Sequence, residues 1–313
     1  MQIALELPKR GSRAFDTVGL GLNTTDILAV VDGHPESGSK GPMVDLATRP
    51  GGQAATAMTA CSRLGWRARY IGRFGDDSNG IAGLQSLREA GVDIETCKTM
   101  PGATNALSLV LVDASTGQRT VLWSRHPSLT MSADTISEAA VCSGRILLVD
   151  CHDTAAATAA ARFARRAGIP TVVDVEKVRI GIESLLHEID IIITAQDFPR
   201  QLTDAGSLGV ALRTMKETYR ATLVCATLGE EGSLALTDGG EIRTPGFDVP
   251  VVDTTGAGDV FRGGFISGWL LSGASAQAED VLRYANAAAA LKCRALGARA
   301  GIPTREEITQ LLL

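Results

Sequence analysis

The segment FDVPVVDTTGAGDVFRGGFISGWLL, residues 247–271, is the most informative stretch of this 313-residue chain. It opens with the apolar run 249–252 and passes through two threonines and two glycines to Asp259. Beyond Asp259, large apolar residues recur at helical spacing through residue 270. The pattern predicts a strand, a tight turn and then a buried helix.

The turn before this helix has the properties of an anion site. A helix start presents free backbone N–H groups and a partial positive charge. Gly256 and Gly258 would let an anion approach that backbone closely. Asp259 would then be placed to accept a proton from a hydroxyl that attacks a bound phosphate. Taken alone, the turn is better explained as an ordinary helix start that carries a favourable carboxylate.

The remainder of the C-terminal two-thirds alternates apolar runs with helix-like stretches. Strands are predicted at 145–150, 171–176, 190–194 and 221–228, and helices at 154–167 and 207–219. Such alternation is typical of a parallel sheet that is buried on both faces. Polar side chains recur at the predicted strand ends, where open α/β sheets bind ligands: Asp150, Asp174, Glu176, Thr194 and Thr227.

A second group of strands is predicted at 27–32, 106–113 and 119–124. The last two flank residues 114–118, a plausible hairpin turn. Because no helix separates them, they indicate a small antiparallel lid on the main domain. No internal repeat or linker is evident.

The composition excludes some functional classes. A net charge of -5 argues against nucleic acid or an anionic membrane as the main partner. Neither a signal peptide nor an apolar run of membrane-spanning length is present, so a cytoplasmic protein is expected. The six cysteines form no Cys-x-x-Cys pair and are expected to be reduced.

Three separated motifs make the chain resemble the ribokinase-like (PfkB) carbohydrate kinases. Residues 253–259 meet the C-terminal signature Asp-Thr-x-Gly-Ala-Gly-Asp in full. The N-terminal signature appears within 51–80, as Gly51-Gly52, Leu64-Gly65, GRFGDD at 72–77 and Gly80. Residues 227–232 resemble the nucleotide-binding turn of the family. The resemblance runs in order from about residue 16 to the C-terminus.

The resemblance implies a fold and a reaction. The fold is a three-layer α/β sandwich with a mostly parallel central sheet, forming a single domain over 1–313. A small β-sheet lid, roughly 27–48 and 99–126, covers the acceptor sugar. The reaction transfers the γ-phosphate of ATP to a sugar hydroxyl with Mg²⁺ present. Lid strands can pair between subunits, so a homodimer is also implied.

The resemblance also assigns roles by motif position. Asp259 is the implied catalytic base, and the implied anion hole comprises Gly256, Ala257 and Gly258. The implied substrate-binding residues are Asp26, which would bind two sugar hydroxyls, with Gly51, Gly52, Gln53 and Thr56. Arg119 on the lid is a further candidate for contact with substrate or phosphate, although such an arginine is more often a solvated hairpin charge. The implied ATP-binding residues are Thr227, Gly229, Gly232, Thr254, Gly256, Gly258 and Asn286. Asp253 and the Thr255 carbonyl match a site for a monovalent cation such as K⁺, and Asp197 is a candidate for binding Mg²⁺ through water.

Two departures from the family pattern affect these assignments. Thr56 stands where asparagine is common, which changes an amide for a hydroxyl. The sequence Thr194-Ala-Gln-Asp197 stands where Asn-x-x-Glu is common near the magnesium site. Residues 114–122, 174–177 and 291–297 resemble ketohexokinases most, which implies a ketose or a related sugar. Since Gln53 and Thr56 replace the asparagines expected to hold fructose, fructose is not assigned, and an anionic ketose such as a sulfosugar stays open.

Two other functions remain open. A nucleoside kinase of the adenosine type shares these motifs, but it usually needs an aromatic base pocket and only 4% of this chain is aromatic. A silent protein that binds sugar or nucleotide is disfavoured by the intact turn and Asp259. A Rossmann dehydrogenase is poorly supported because no Gly-x-Gly-x-x-Gly follows the first strand.

Overall fold

The computed structural model describes residues 1–116 and 118–313. Its strands are β1 (Thr17–Leu20), β2 (Thr24–Val31), β3 (Asp45–Gly51), β4 (Ala68–Ile71), β5 (Arg73–Gly75), β6 (Lys98–Met100), β7 (Leu107–Asp113), β8 (Arg119–Ser124), β9 (Leu147–Asp150), β10 (Thr171–Val175), β11 (Ile191–Ala195), β12 (Leu223–Thr227), β13 (Ser233–Thr237) and β14 (Gly240–Thr244). Its α-helices are α1 (Gln53–Arg63), α2 (Ser78–Glu89), α3 (Glu138–Val141), α4 (Thr154–Arg166), α5 (Ile182–Leu186), α6 (Phe198–Thr203), α7 (Leu208–Tyr219), α8 (Ala257–Ser272), α9 (Ala278–Lys292) and α10 (Arg305–Leu312).

The central sheet has eight strands in the order β14-β13-β12-β11-β10-β9-β1-β4. The six strands from β12 to β4 are mutually parallel, and β13 and β14 add an antiparallel edge. One apolar cluster joins the sheet to α1, α8 and α9, and a second joins its other face to α4 and α7. The predicted three-layer arrangement with a mostly parallel sheet is confirmed.

The predicted buried helix after Asp259 is α8, which packs tightly between two neighbours. A Cβ on Gly263 would lie 2.6 Å from Ala60 Cβ in α1. A Cβ on Gly264 would lie 2.9 Å from Ala288 Cβ in α9. Glycine inside a helix costs about 1 kcal/mol relative to alanine. Here it permits two helix backbones to approach α8, which fixes the position of the turn at its N-terminus.

The predicted lid is a separate four-stranded sheet in the order β3-β2-β7-β8. The pairs β2–β3 and β7–β8 are antiparallel, but β2 and β7 run parallel. The expectation of a purely antiparallel lid was therefore wrong, because the long connection between β2 and β7 carries the chain back to start β7 in the same direction. The predicted hairpin turn at 114–118 includes Gly117, which lies outside the described residues.

The apolar run 249–252 was predicted as a strand and is irregular instead. Val251 and Val252 are 55% and 52% exposed, so the run lies on the surface. The Val252 N–H donates to the Cys293 carbonyl at 2.8 Å, in the loop that follows α9. The segment is thus held by the loop after α9 and crosses to α8 without joining the sheet.

Two further expectations concern cysteines and membranes. All six cysteines are free thiols, as predicted. Within 1–116 and 118–313, no helix is both long and apolar enough to span a bilayer.

Candidate active site

The polar residues predicted at strand ends lie together along one edge of the central sheet. Asp150, Asp174, Thr194 and Thr227 end or nearly end the four adjacent parallel strands β9 to β12. The start of α8 reaches the same edge, because the Arg262 guanidinium lies 2.9 Å from Asp174 Oδ1. This edge is where ligands bind in open α/β sheets.

The turn before α8 is held by the Asp253 side chain. Its Oδ1 accepts from the Thr255 N–H at 2.8 Å, and its Oδ2 accepts from the Gly297 N–H at 2.7 Å. Gly256 has φ +78°, and a Cβ there would lie 2.7 Å from Ala298 Cα. A side chain at this position would therefore be strained in two ways, which explains the glycine.

The backbone amides of this turn are partly committed within the protein. The Ala257 N–H donates to the Thr254 carbonyl at 3.1 Å, so it is not free for an anion. The N–H groups of Gly256, Gly258 and Asp259 have no hydrogen-bond acceptor in the described part of the chain. Together with the positive end of the α8 dipole, they form a ready anion site.

Asp259 lies in the first turn of α8, beside these amides. Its side chain is partly accessible from the cleft but is surrounded by protein, and this burial raises its pKa well above 3.8. The nearby Asp174 carboxylate raises the pKa further, whereas Arg262 opposes the shift. A carboxylate with a raised pKa is a stronger proton acceptor than an ordinary aspartate.

The ion pair of Arg262 with Asp174 was missed from the sequence. Both side chains are about 95% buried, and Arg262 Nη2 also donates to the Ile193 carbonyl at 3.4 Å. Arg262 lies one helical turn after Asp259 in an otherwise apolar helix, and that isolated charge was the available signal. The pair joins the start of α8 to the ends of β10 and β11.

Asp26 lies on β2 of the lid and is 5% exposed. Thr24 Oγ1 donates to its Oδ1 at 2.8 Å. A Cβ on Gly51 would lie 2.0 Å from Asp26 Oδ2, and Gly52, with φ +94°, would meet Asn23 Cα at 2.3 Å. Gly51 is therefore required for the close approach of β3 to this carboxylate, and Gly52 for the close approach of the chain to the backbone at Asn23.

Gln53 and Thr56, which replace the asparagines expected to hold fructose, lie on α1, the helix that begins directly after Gly51 and Gly52. Thr56 is fully buried. The Gln53 side-chain oxygen is buried without a hydrogen-bond partner among the described residues. An unsatisfied buried amide oxygen is costly, and a bound hydroxyl is a group that would satisfy it.

Arg299, which was not predicted, reaches this region from the loop before α10. It is 7% exposed. Its guanidinium donates to Gly51 O at 2.7 Å, to Ser86 Oγ at 3.2 Å and to Thr56 Oγ1 at 3.4 Å. All three acceptors are neutral, and burial lowers the pKa of Arg299 to about 10, opposed in part by Asp26 and Asp259. A buried cation thus lies beside Gly51 and Thr56 without a carboxylate partner among the described residues.

Arg119 connects the lid to the anion site. It begins β8, and its Nη1 donates to Thr254 Oγ1 at 2.7 Å. The two residues are 135 positions apart in the chain. Arg119 therefore lies beside the turn that precedes α8, and the lid is seated against that turn.

Four of the predicted nucleotide-binding residues lie on three elements: Thr227 ends β12, Gly229 and Gly232 follow it, and Asn286 is on α9. Thr227 Oγ1 donates to the Thr194 carbonyl at 3.2 Å. Gly229 and Gly232 have positive φ and bound a short 3₁₀ turn, which returns the chain into β13. Asn286 is buried, and its amide nitrogen donates to Thr244 Oγ1 at 3.0 Å and Ser233 Oγ at 3.1 Å. Asn286 thus holds α9 against the start of β13 and the end of β14, and the N–H groups of its amide are already used in these hydrogen bonds.

The described residues form no preformed Mg²⁺ site, and they fit a Mg²⁺ ion that is bound mainly by the phosphates of the nucleotide. Asp197 is 70% exposed and pairs with Arg200 at 3.1 Å on the surface. No cluster of three or more metal-binding His, Cys, Asp or Glu side chains occurs in the described ranges. Thr194 Oγ1 is buried at the sheet edge without a partner among those residues. Mg²⁺ typically binds substrate phosphates, waters and one or two carboxylates, so a preformed cage is not needed.

The position predicted for a monovalent cation already holds a positive charge. The Lys292 ammonium donates to the Asp253 carbonyl at 2.8 Å and to the Ala295 carbonyl at 3.5 Å. It also lies 3.9 Å from Asp253 Oδ2. The residues at Asp253 therefore do not fit a bound K⁺, because the ammonium takes the Asp253 carbonyl and adds a positive charge that would repel a second cation.

Comparisons with known proteins agree with this geometry. The profile described as "pfkB family carbohydrate kinase" matches residues 16–305. The chain is 31% identical to an ATP-dependent ribose-1-phosphate kinase of Halopiger xanaduensis, covering 92% of this chain and 94% of that protein. It is also 31% identical to probable fructokinase-5 of Arabidopsis thaliana, covering 84% and 88%. A crystal structure of a putative ribokinase from Agrobacterium tumefaciens superposes with a TM-score of 0.87 at 27% identity, covering 95% and 97%.

Proposed function

The chain belongs to the pfkB family of carbohydrate kinases and is a phosphotransferase; from this membership we propose that it transfers the γ-phosphate of ATP to a hydroxyl of a small sugar. The observation that carries the proposal is the position of Asp259. Its carboxylate has a raised pKa and lies beside free backbone amides at the start of α8. A proton acceptor next to an anion site is what transfer of a phosphoryl group to a hydroxyl requires.

Each step of this mechanism uses groups described above. The acceptor hydroxyl lies between Asp259 and the γ-phosphorus. Asp259 takes its proton as the oxygen bonds to phosphorus, and the bond from phosphorus to the bridging oxygen of ADP breaks. The amides of Gly256, Gly258 and Asp259 stabilise the charge on the moving group. Arg119 adds a positive charge from the lid, which also excludes water.

We place ATP along the carboxyl ends of β10 to β12. Its adenosine lies over the groove that Gly229, Gly232 and Asn286 bound, and its phosphates reach Thr254 and the turn before α8. Mg²⁺ bound to the phosphates would neutralise charge on the transferred group. Glu176 is a better candidate than Asp197 for holding this Mg²⁺, because Glu176 lies near enough to Asp259 to raise the pKa of Asp259.

For the acceptor we propose a small sugar, a ketose or a related sugar, bound between Asp26 and Gln53. Asp26 offers two carboxylate oxygens and Gln53 an unsatisfied amide oxygen, which suits an acceptor with several hydroxyls. A nucleoside needs an aromatic surface for its base. The lid tryptophan, Trp123, is 62% exposed on β8, which does not favour such a pocket.

A second candidate acceptor is a sugar that already carries an anionic group. Arg299 favours it, because a buried guanidinium with only neutral hydrogen-bond partners is completed by an anion. The relative from Halopiger xanaduensis is named for ribose 1-phosphate, a substrate of that kind. Thr56, which stands where asparagine is common, accepts a hydrogen bond from the Arg299 guanidinium at 3.4 Å, so this departure from the family pattern lies beside the same cation.

ADP release, measured across matched pairs of acceptors, tests both candidates. The panel comprises ribose with ribose 1-phosphate, fructose with fructose 1-phosphate, and adenosine. We expect turnover that depends on a sugar and exceeds ATP hydrolysis without acceptor. Turnover of adenosine alone would replace the sugar assignment with a nucleoside kinase. A preference for the neutral member of each pair would reject the anionic candidate and leave the kinase assignment intact.

Replacing Arg299 with glutamine is expected to weaken binding of the acceptor's anionic group. A hydrogen bond to a charged group contributes about 1.5–3 kcal/mol, so kcat/KM for the anionic acceptor should fall roughly 10- to 100-fold. The neutral acceptor of the pair should change less than about threefold by the same reasoning. Arg299→Lys, which keeps the charge, is the matched control and should recover part of the loss. Equal losses for both acceptors would show that Arg299 only supports the fold.

We also propose that two copies associate through their lids. The outer lid strand β8 exposes Leu122 and Trp123 at 58% and 62%. Pairing of the β8 strands of two copies would cover both side chains and would satisfy the free backbone groups of β8. Sedimentation of the purified protein should give the mass of a dimer, and a Trp123→Glu variant should sediment as a monomer. A wild-type monomer at micromolar concentration would exclude this association.

A further inference from the structure

Lys292 is a fully buried lysine at the end of α9 that the mechanism above does not use. A lysine is rarely buried without compensation, because the charged ammonium loses its hydration. Here the compensation comes from oxygen atoms: the carbonyls of Asp253 and Ala295 accept from the ammonium, and the Asp253 carboxylate lies 3.9 Å away. The ammonium is thus surrounded by the kind of ligands that bind a monovalent metal ion.

These oxygens belong to two loops that shape the anion site. One is the turn 253–256, and the other is the segment 293–298 after α9. The loops are joined at three other points: Asp253 Oδ2 accepts from the Gly297 N–H, the Cys293 carbonyl accepts from the Asp253 N–H at 3.2 Å, and the Gly256 backbone packs on Ala298. A positive charge between the loops holds their carbonyls together, and it therefore fixes the direction of the amides that face the phosphate.

We propose that the Lys292 ammonium is a built-in replacement for a monovalent cation, so that this enzyme positions its anion site without K⁺. Lys292 is then a positioning residue, which acts through the turn at Asp253 and touches neither substrate. The activity part of the test rests on the proposed kinase function, whereas the thermal part does not.

A purely structural anchor is the competing explanation, and the two make different predictions. If the ammonium replaces a cation, shortening the side chain should create a site that an added cation can fill. If it is only an anchor, shortening it should weaken the protein in any salt. Lys292→Ala is the informative variant, and Lys292→Met is its matched control, because methionine fills most of the space and supplies no charge.

The experiment measures thermal unfolding and turnover in tetramethylammonium buffer, with K⁺ titrated to 100 mM. The wild type should unfold at the same temperature with and without K⁺ and should keep its activity in both. Lys292→Ala should gain about 5 °C on addition of K⁺, as expected for an ion present at roughly 100 times its Kd. Its turnover should be at least 10-fold below wild type without K⁺ and should recover with K⁺. Lys292→Met should lose turnover and respond to K⁺ in neither measurement.

Two results would overturn the proposal. One is stabilisation or activation of the wild-type protein by K⁺. This result can be obtained even if the alanine variant does not fold. The other is a folded Lys292→Ala protein whose unfolding temperature K⁺ leaves unchanged. Should no acceptor be phosphorylated, the proposed function fails, but the thermal measurement still decides whether Lys292 fills a cation site.

Discussion

Asp259→Asn is expected to lower kcat by about 10³-fold, the typical contribution of a general base. The amide keeps the size of the side chain but cannot accept the proton of the attacking hydroxyl. ATP should bind almost as it does to the wild type, because the amides of the turn remain. Steady-state kinetics and ATP titration measure the two effects separately.

The same substitution should not destabilise the fold. The pKa of Asp259 is raised in the folded protein, so the stability that its protonated form contributes is lost as the pH rises through that raised value. Above the ordinary pKa of an aspartate, burial of this carboxyl therefore opposes folding, and the neutral amide removes that cost. We expect Asp259→Asn to unfold at a temperature equal to or above that of the wild type. The matched control is Asp197→Asn, which changes a surface acid and should leave kcat within about twofold. Near-normal turnover in Asp259→Asn would reject its role as the base.

Asp26→Asn is expected to have the second largest effect, and it should act on the acceptor. Two hydrogen bonds to a charged group, each worth about 1.5–3 kcal/mol, are lost or weakened, so kcat/KM for the sugar should fall roughly 10²- to 10³-fold. The KM for ATP should not change, because Asp26 lies in the lid sheet and away from the β12 turn. A lower kcat/KM for the sugar with an unchanged KM for ATP distinguishes an acceptor-binding residue from one that binds ATP.

The control for Asp26 is Asp45→Asn on the neighbouring strand β3. Asp45 is an exposed acid of the same lid sheet, and its Oδ1 accepts from the Leu46 N–H. It should change neither kcat nor KM by more than about twofold. Equal losses in both variants would mean that the lid sheet is perturbed as a whole, and Asp26 would then have no special place at the acceptor.

The turn and helix at 253–272 could be predicted from the sequence because their signals are local. Glycines at 256 and 258 mark the turn, and the apolar spacing after Asp259 marks the helix. The run 249–252 shows the limit of local reasoning. Its composition is that of a strand, but whether a neighbouring strand is free to pair with it depends on the whole sheet. The direction of β7 relative to β2 depends in the same way on distant parts of the chain.

The charged residues around the site could not be predicted for a related reason. Arg262 pairs with Asp174, 88 positions earlier in the sequence. Arg299 meets Thr56 at a separation of 243 residues. Lys292 meets the Asp253 carbonyl 39 residues away. Each is a single basic residue in an apolar or small-residue setting, and nothing in that setting identifies its partner. Thr56 and Gln53 showed that the acceptor end differs from the family pattern, but the sequence did not show that Arg299 lies there.

The central claim is that Asp259 and the turn before α8 transfer phosphate from ATP to a sugar hydroxyl. ³¹P NMR of the protein with Mg–ATP and the acceptor panel tests it most directly, because it identifies the product and not only the loss of ATP. We expect loss of the γ-phosphate signal and growth of a sugar phosphomonoester signal in equal amount, with neither change in Asp259→Asn. Inorganic phosphate as the only new product, or a sugar phosphate formed equally well by Asp259→Asn, would contradict it.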